Sequence, residues 1–353
     1  MPKTATEDKN LSGIKGRTMT KHPRAGRIFV AIATILLLAE TLLPATEALA
    51  KPKHRDISIQ GEYSGTVPGS NGPKRLAVQV IALGDGTFRA IGFVGGLPGD
   101  GRDVSKSEEA TAVAKNGRIT FEGKYADGTI RGDKMVLLSK DGKQLGELTR
   151  IDRKSPTLGQ KPPEGAKVLF DGTSADAWVR SRNRGPAEMT ADGLLKEGAN
   201  SKEHFGDHQL HLEFYLPFEP HNRGQARANS GCYLQGRYEI QMLDSFGLEG
   251  RDNECGGIYK IAHPEINMCY PPGAWQTYDI LFKAAKYDAA GQKTKNARVT
   301  VRHNGVPIHN DIELPHATAA APLKEGAKPG FIHLQDHGNP VRYRNIWVVE
   351  ETE

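Results

Sequence analysis

Residues 209–218 read Gln-Leu-His-Leu-Glu-Phe-Tyr-Leu-Pro-Phe, and the alternation of apolar and polar side chains in this stretch decides the fold class. Successive strand residues point to opposite sides of a sheet, so Leu210, Leu212 and Phe214 fall on one face. The polar residues between them occupy the other face. One buried face and one polar face are what a strand of an antiparallel sandwich requires.

Similar strand-like runs recur through the C-terminal part of the chain. The clearest are residues 231–234, 238–243, 276–283, 298–303, 306–312, 330–334 and 341–349. Asn304-Gly305 lies between two of them and is the strongest hairpin signal, because Asn-Gly readily adopts the positive φ angles of a tight turn. No long stretch of helical periodicity appears beyond residue 50. The sequence therefore predicts an all-β fold with a sandwich over residues 165–353.

A smaller antiparallel β domain is predicted for residues 54–153, where short β-rich runs are separated by turn dipeptides. The runs are residues 75–83, 87–94, 110–114, 118–125, 130–138 and 145–151, and the turns are Asp85-Gly86, Asn116-Gly117, Asp127-Gly128 and Asp141-Gly142. This pattern indicates a meander or a small barrel, without a catalytic constellation and with no assigned role. Residues 154–164 are rich in proline and are predicted to form a stiff linker.

The first 50 residues have the composition of a secretory signal peptide. A basic leader precedes an uncharged run from Ile28 to Ala39, and Ala48-Leu49-Ala50 has the small residues of a cleavage site. The apolar run is shorter than the roughly 20 residues of a membrane span. We predict cleavage after Ala50, export to the periplasm or the cell exterior, and no stable membrane span. A start at Met19 would give a more usual leader.

The formal net charge of +5 is concentrated in this leader. Residues 1–27 carry seven Lys or Arg against Glu7 and Asp8, so the chain beyond residue 50 is close to neutral. A polyanion-binding protein usually carries a strong basic patch or stripe. The composition therefore predicts no nucleic-acid partner.

Three cysteines, Cys232, Cys255 and Cys269, leave one thiol unpaired if any disulfide forms in an exported protein. Cys255 with Cys269 is the more natural pair, because Cys232 falls within an apolar strand where it can pack. A zinc site built from Cys255, His263 and Cys269 matches no common ligand spacing. We expect no metal ligands and no cofactor, and leave a divalent-metal requirement open.

Residues 238–245 read Tyr-Glu-Ile-Gln-Met-Leu-Asp-Ser and offer the best candidate for chemistry. Glu239 and Gln241 share one strand face, whereas Asp244 is an odd number of residues further on and needs a β-bulge to join them. Sugar-cleaving sandwiches of the laminarinase type carry a similar strand with two glutamates and an aspartate. Spacing alone leaves two interpretations open, a catalytic strand or a solvated strand with polar decoration.

Several motifs in the C-terminal domain occur in an order that resembles a known family. They are Val168-Leu169-Phe170-Asp171-Gly172 with Trp178, Leu212-Glu213-Phe214, Asn229-Ser230-Gly231, Tyr238-Glu239-Ile240-Gln241, Asp244-Ser245, Gly257-Ile258-Tyr259, Trp275, Asn304-Gly305, Leu334-Gln335-Asp336-His337-Gly338 and Tyr343-Arg344-Asn345-Ile346-Trp347. Over about residues 165–352 the chain is similar to the 3-keto-disaccharide hydrolase domain family. The resemblance implies a concanavalin A-like jelly roll whose concave face forms a sugar groove.

The resemblance also implies cleavage of glycosides that are already oxidised at C3 of a glucose unit. A C3 ketone makes the C2 proton acidic, so cleavage needs a base, an acid at the leaving oxygen and a donor to the enolate. Glu239 or Asp244 is the predicted base, and the other carboxylate or His337 is the predicted acid. Gln241, Gln335 or Arg344 is predicted to face the developing oxyanion.

The predicted partner is a carbohydrate, and the candidate substrate-binding residues are Asn229, Gln241, Tyr259, Trp275, Gln335 and Arg344. Two other functions stay open. A laminarinase-like endoglucanase would use two carboxylates in direct displacement, but Gln241 stands where that scheme has an aspartate. A non-catalytic, lectin-like module would bind glycans through the same face. The sequence does not predict an oligomeric state.

Overall fold

The structure, a computed structural model, describes residues 55–69, 71–103, 107–115 and 118–351. The predicted leader and the predicted Asn116-Gly117 turn lie outside these residues. Among the described residues, helix is limited to two short 3-10 turns, Arg55–Ser58 and Gly224–Ala226, and none of it could cross a membrane. Strands account for the rest of the regular structure, which confirms the predicted all-β fold class.

The N-terminal strands form one eight-stranded antiparallel sheet. They are β1 (Gly61–Val67), β2 (Lys74–Gly84), β3 (Thr87–Val94), β4 (Ser107–Val113), β5 (Ile119–Glu122), β6 (Asp127–Arg131), β7 (Lys134–Leu138) and β8 (Gln144–Ile151). Their order is β4-β3-β2-β1-β8-β7-β6-β5. The two edge strands meet at a backbone bridge between Lys115 and Arg118, so the sheet curls into an up-and-down barrel.

One stretch of the barrel differs from the sequence-based prediction. Residues 130–138 are not a single strand, because Gly132 and Asp133 turn the chain between β6 and β7. Asp127-Gly128, predicted as a turn, lies within β6 instead. A Cβ at Gly128 would lie 3.2 Å from Met135 Sδ on β7, so this glycine serves a close cross-strand contact.

Two other predicted turns are confirmed. Asp85 and Gly86 adopt φ angles of 53° and 71°, and Asn304 and Gly305 adopt 51° and 79°. Two consecutive positive φ angles are the mark of a two-residue hairpin turn whose twist matches that of the flanking strands. Asp85-Gly86 therefore forms the turn between β2 and β3. Asn304-Gly305 forms the turn of a hairpin between residues 297–303 and 306–314 of the C-terminal domain.

The C-terminal strands form two antiparallel sheets and one short ribbon. They are β9 (Lys167–Phe170), β10 (Trp178–Arg180), β11 (Leu195–Lys196), β12 (Ala199–Phe205), β13 (His208–Tyr215), β14 (Ser230–Leu234), β15 (Tyr238–Met242), β16 (Trp275–Lys283), β17 (Lys286–Tyr287), β18 (Lys293–Lys295), β19 (Ala297–His303), β20 (Val306–Leu314), β21 (Gly330–Leu334) and β22 (Arg342–Glu350). The five-stranded sheet has the order β10-β12-β21-β14-β15. The other sheet has the order β11-β22-β13-β16-β19-β20, and β9 joins it through β22.

The apolar faces of these two sheets meet in one core, as the predicted jelly-roll sandwich requires. β13 contributes Leu210, Leu212 and Phe214, and β15 contributes Ile240 and Met242. Because strand side chains alternate, the odd-numbered residues of β15 lie on the opposite face of the five-stranded sheet. That outer face carries the polar residues of β15.

The proline-rich segment after the barrel is docked along the outer face of the second sheet. Ser155 Oγ lies 2.6 Å from Thr277 Oγ1, and the Thr157 hydroxyl donates to Asp279 Oδ2 at 2.7 Å. The backbone amide of Gly159 donates to the Glu213 carboxylate. This face is therefore occupied by the chain itself.

Glu213 is the electrostatic centre of that contact. Its side chain is 1% exposed and accepts hydrogen bonds from Arg344 Nε at 2.7 Å and from Asn345 Nδ2 at 2.9 Å. Burial alone would raise the pKa of Glu213, but hydrogen bonds from His211, Asn345, Gly159 and Arg344 outweigh burial and lower it to about 2. The carboxylate is thus ionised at neutral pH and holds the linker to the sheet.

The barrel packs against the sandwich through the outer faces of β2 and β3. Ile81 belongs to the sandwich core, and the Arg89 guanidinium donates to the Gly247 carbonyl oxygen. After β8, Arg153 donates to Glu62 at 2.6 Å and lies 4.9 Å from the centre of the Tyr270 ring. Apolar packing and buried cationic contacts together fix the barrel to the sandwich.

All three cysteines are buried free thiols, so the structure contains none of the possible disulfides. Cys255 and Cys269 nevertheless interact, and Cys255 Sγ also lies 3.3 Å from the Tyr278 hydroxyl. Cys232 packs in the sandwich core, as its apolar strand predicts.

Glu213→Gln is expected to lower the free energy of unfolding by about 2 to 3 kcal/mol at pH 7, because it removes an ionised acceptor from a buried cluster. The folded pKa lies below the unfolded value, so this stabilisation is present above about pH 4.5 and is lost as pH falls through about 2.

Urea unfolding of both proteins at pH 7 and near pH 2 would measure the difference. Glu203→Gln, which removes an exposed ion pair with Lys167, is the matched control and should leave the midpoint nearly unchanged. An equal loss in both variants would contradict the assigned role of Glu213.

Candidate active site

A row of polar side chains crosses the outer face of the five-stranded sheet. Strand register pairs Asn200 with His333, His333 with Tyr233, and Tyr233 with Glu239. Tyr259 follows in a segment that extends the sheet beyond β15, since its amide donates to the Glu239 carbonyl oxygen at 3.3 Å. We call these five residues the Glu239 row.

A second row lies beside it and contains two glycines. Gly231 on β14 pairs with Gln241 on β15. The backbone amide of Gln241 donates to the Gly257 carbonyl oxygen, and the backbone amide of Gln335 donates to the Gly231 carbonyl oxygen. A Cβ at Gly231 would overlap Glu239 Oε1. The carboxylate of Glu239 therefore lies over the backbone of Gly231, in space that any side chain there would fill.

Burial controls the chemistry of Glu239. The residue is 2% exposed, and burial raises its pKa to about 7 although a hydrogen bond with Tyr233 acts in the opposite direction. A carboxyl with this pKa is divided between its acid and its base form near neutral pH. It can therefore take up or release a proton under ordinary conditions.

The Tyr233 hydroxyl connects Glu239 to Gln335. It hydrogen bonds the Glu239 carboxyl and receives a hydrogen bond from Gln335 Nε2 at 3.1 Å. Burial and the neighbouring Glu239 raise the pKa of Tyr233, so the phenol stays protonated. Polar groups on β15, on β14 and directly after β21 thus form one hydrogen-bonded chain.

His333 closes the row as a neutral ring. Burial lowers its pKa to about 4, and its Nδ1 donates to Asn200 Oδ1 at 2.6 Å. The ring also packs against Tyr233, with their centres 5.2 Å apart. His333 therefore adds a rigid, uncharged wall to the row.

Two buried acceptors near these rows have no hydrogen-bond partner among the described residues, Gln335 Oε1 and Asn229 Oδ1. The amide nitrogens of Asn229 and Gln241 both donate to Gln225 Oε1, at 3.1 Å and 3.3 Å. The Asn229 side chain is thus held in place by its nitrogen while its oxygen stays available. Buried acceptors of this kind suit a ligand that supplies hydroxyl donors.

Asp244 does not join Glu239 on this face, contrary to the predicted bulge. β15 ends at Met242, and Asp244 forms a buried ion pair with Arg227 in which the two side chains are 1% and 6% exposed. Burial raises the pKa of Asp244, and the Arg227 charge counteracts that shift. Arg227 also donates to the Ala82 carbonyl oxygen in the barrel, at 3.2 Å. Its contacts are those of a structural residue.

The prediction that Trp275 and Arg344 lie beside Glu239 is wrong. They stack on each other, with the guanidinium 4.0 Å from the ring centre, and Arg344 binds Glu213 on the outer face of the second sheet. That face and the Glu239 row are on opposite sides of the sandwich. His337 is exposed in the loop after β21. Asn229, Gln241, Tyr259 and Gln335 remain with Glu239.

Sequence reasoning missed Tyr233, His333 and Asn200. Each lies in an element whose alternation was readable, since Cys232 and Leu234 mark the buried face of β14 and leave Tyr233 on the other. The missing information was the order of strands in the sheet. No cluster of three or more His, Cys, Asp or Glu side chains suited to a metal occurs in the described part of the chain.

Residues 165–349 match the family described as the 3-keto-alpha-glucoside-1,2-lyase-like domain, and the match spans just over half of the chain. The chain belongs to this family. The match confirms the family that the ordered motifs predict, and it covers the sandwich but not the barrel. Membership supports a function of the lyase-like domain on glycosides.

Two solved structures from Parabacteroides distasonis, both described as candidate glycosyl hydrolases, are similar to the lyase-like domain. One is 35% identical and covers 54% of this chain and 85% of that protein, with a TM-score of 0.49. The other is 19% identical and covers 54% and 95%, with a TM-score of 0.41. No curated protein matches the chain.

Glu239→Gln should stabilise the protein above neutral pH. The folded pKa of Glu239 is raised above the unfolded value, so wild type loses stability as pH rises from about 4.5 through about 7, by roughly 2 to 3 kcal/mol. The glutamine side chain of the variant does not titrate, so the variant does not lose this stability as pH rises. Chemical unfolding at pH 4.5 and pH 8 measures it, and equal stability of both proteins at pH 8 would contradict the raised pKa.

Asp244→Asn, in contrast to Glu239→Gln, should lower the free energy of unfolding at both pH 4.5 and pH 8. Removing one partner of a buried ion pair leaves Arg227 uncompensated and costs about 3 kcal/mol of unfolding free energy. The same unfolding series checks it. A stability unchanged within error would show that Asp244 is not a structural residue.

Proposed function

We propose that this protein cleaves glycosides whose glucose unit carries a ketone at C3, by elimination followed by hydration. The observation that carries the proposal is Glu239, a buried carboxyl with a pKa of about 7 at the centre of a polar row. Family membership supports the substrate class. A base with this pKa suits abstraction of a carbon-bound proton that a neighbouring ketone has made acidic.

In the proposed reaction the ionised Glu239 takes the proton from C2 of the keto-sugar. The electron pair of that C–H bond forms the C1–C2 double bond, and the C1–O bond breaks with its electrons leaving on the aglycone oxygen. A water molecule gives that oxygen its proton, and the resulting hydroxide adds at C1. Glu239 returns a proton to C2, which gives the 3-keto-sugar and the free alcohol.

Stabilisation of the enolate is assigned to the hydrogen-bonded chain beside Glu239. Gln335 Nε2 has a second N–H besides the one that it donates to the Tyr233 hydroxyl, and Tyr233 holds this amide in place. A donor held in place before the reaction stabilises a developing oxyanion without reorganisation. The free acceptors Gln335 Oε1 and Asn229 Oδ1 would take hydrogen bonds from sugar hydroxyls. Tyr259, at the end of the Glu239 row, would contact the sugar ring.

Direct displacement is less well supported. A retaining glycosidase needs two carboxyl groups about 5 to 5.5 Å apart on the reacting face. The two described rows contain one carboxylate, and the nearby Asp244 is held by Arg227. We therefore assign no catalytic step to Asp244 or to the exposed His337, and place the reaction outside the cytoplasm on the strength of the predicted leader.

Incubation of the purified protein with a 3-keto-glucosyl disaccharide should release 3-keto-glucose, and the parent disaccharide should not be cleaved. In D2O the product should carry deuterium at C2, because the proton removed exchanges with solvent. The rate at low substrate should rise with pH through about 7 as Glu239 ionises. Equal cleavage of the parent sugar would favour displacement, and binding without product would favour a lectin-like module.

Glu239→Gln should lower kcat by about a hundredfold to ten-thousandfold, because the amide cannot accept the C2 proton. Glu203→Gln, which makes the same chemical change at an exposed position of the sandwich, is the control and should keep full activity. Full turnover by Glu239→Gln would remove Glu239 from the mechanism.

Gly231→Ala should lose activity while the fold is kept, because the new methyl group would occupy the position of Glu239 Oε1. Gly206→Ala is a matched control, since a Cβ there would meet no atom within 4 Å. Thermal unfolding and turnover of both variants test it, and an active Gly231→Ala variant would show that the carboxylate need not lie over this backbone.

A further inference from the structure

The interior of the N-terminal barrel is packed at one end and open at the other. At the end nearest the β2–β3 turn, Tyr63, Phe88, Ile119 and Ile130 fill the space and are at most 4% exposed. At the other end the strands enclose a cavity of about 480 Å³. Eight-stranded barrels have an interior just wide enough either to be filled by side chains or to hold one small ligand.

Strand register explains where the space comes from. Along the inner face of β3 the residues run Phe88, Ala90 and Gly92, so the wall loses bulk toward the open end. Gly92 is paired with Val78 on β2 and Glu108 on β4. A Cβ added to Gly92 would meet only the Glu108 carbonyl oxygen, at 3.8 Å.

Local packing therefore does not require a glycine at this position. Glycine in a strand interior weakens the strand, and it is often found where a ligand approaches the backbone closely. Leu76, Val78 and Ala110 line the same cavity and are only partly buried although they point into a barrel. Their exposed apolar surface is what a bound molecule would cover.

The mouth of the cavity indicates the charge of that molecule. The Glu108 carboxylate lines the cavity and accepts hydrogen bonds from the backbone amides of Lys124 and Tyr125, the latter at 3.2 Å. These bonds close the seam between β4 and the β5–β6 turn. Because these amides satisfy the Glu108 carboxylate, it does not need a polar group from the ligand. Its negative charge would repel an anionic head group.

We infer that the N-terminal barrel binds one neutral, mainly apolar small molecule in this cavity. The volume is about three times that of the ~150 Å³ apolar cavity that holds one benzene molecule. Tyr125 lines the cavity and is 71% exposed, so its ring is placed to cover the part of the ligand nearest solvent. No residue of the Glu239 row lines this cavity. The inference does not depend on the proposed function.

The test is a fluorescence titration of the full protein with N-phenyl-1-naphthylamine, a neutral apolar probe that brightens when it leaves water. We expect saturable binding of one probe per chain, and much weaker binding of the anionic probe 1-anilinonaphthalene-8-sulfonate. Non-saturable brightening, or equal binding of both probes, would overturn the proposal.

Gly92→Leu should weaken probe binding by at least about tenfold, because the new side chain fills the cavity. The same change should raise the thermal midpoint, because it fills empty space with an apolar side chain. Thr111→Leu adds the same side chain to an exposed position of β4 and is the control, with probe affinity unchanged. Ala110→Leu repeats the test if Gly92→Leu does not fold. Probe binding that survives in both cavity variants would mean surface adsorption and overturn the proposal.

Discussion

The buried ion pair between Arg227 and Asp244 is the contact on which the arrangement of this protein depends. Two charges removed from water must satisfy one another, and the pair is stable only while both partners stay in place. Asp244 follows directly after the strand that carries Glu239, and Arg227 also donates to the Ala82 carbonyl oxygen of the barrel. One interaction therefore holds the candidate catalytic strand and the N-terminal barrel in a fixed relation. Asp244, which the sequence spacing offered as a second catalytic carboxylate, instead holds the strand that carries Glu239 in position.

Glu239 differs from Asp244 because no cationic side chain of the described residues pairs with it. Desolvation raises its pKa to about 7, while the single hydrogen bond from Tyr233 only partly offsets that rise. Space for the carboxylate exists because Gly231 has no side chain. Two neighbouring acids in one sequence motif thus acquire different properties from their surroundings, as is common where carboxyl groups divide structural and chemical roles.

The two outer faces of the sandwich also divide their roles. The proline-rich segment after the barrel covers the second sheet and is held there by Glu213, Thr277 and Asp279. This explains why Arg344 and Trp275, which occur in the same ordered motifs as Glu239, belong to a structural contact. The face of the five-stranded sheet keeps the polar row and the free acceptors. A sugar site on one face is compatible with a chain-covered opposite face.

The sequence by itself determined the all-β class, the position of most strands, the Asn304-Gly305 hairpin and the family, because alternation, turn dipeptides and ordered motifs are local properties of the chain. It also placed Glu239 and Gln241 on one face, since that follows from a period of two. Only the tertiary structure decided which strands are neighbours, and so brought Tyr233 and His333 to Glu239 and took Asp244 to Arg227. The physical reason is that strand order and burial arise from contacts between residues far apart in sequence, and these contacts set both the pairing of charges and the pKa of a buried acid.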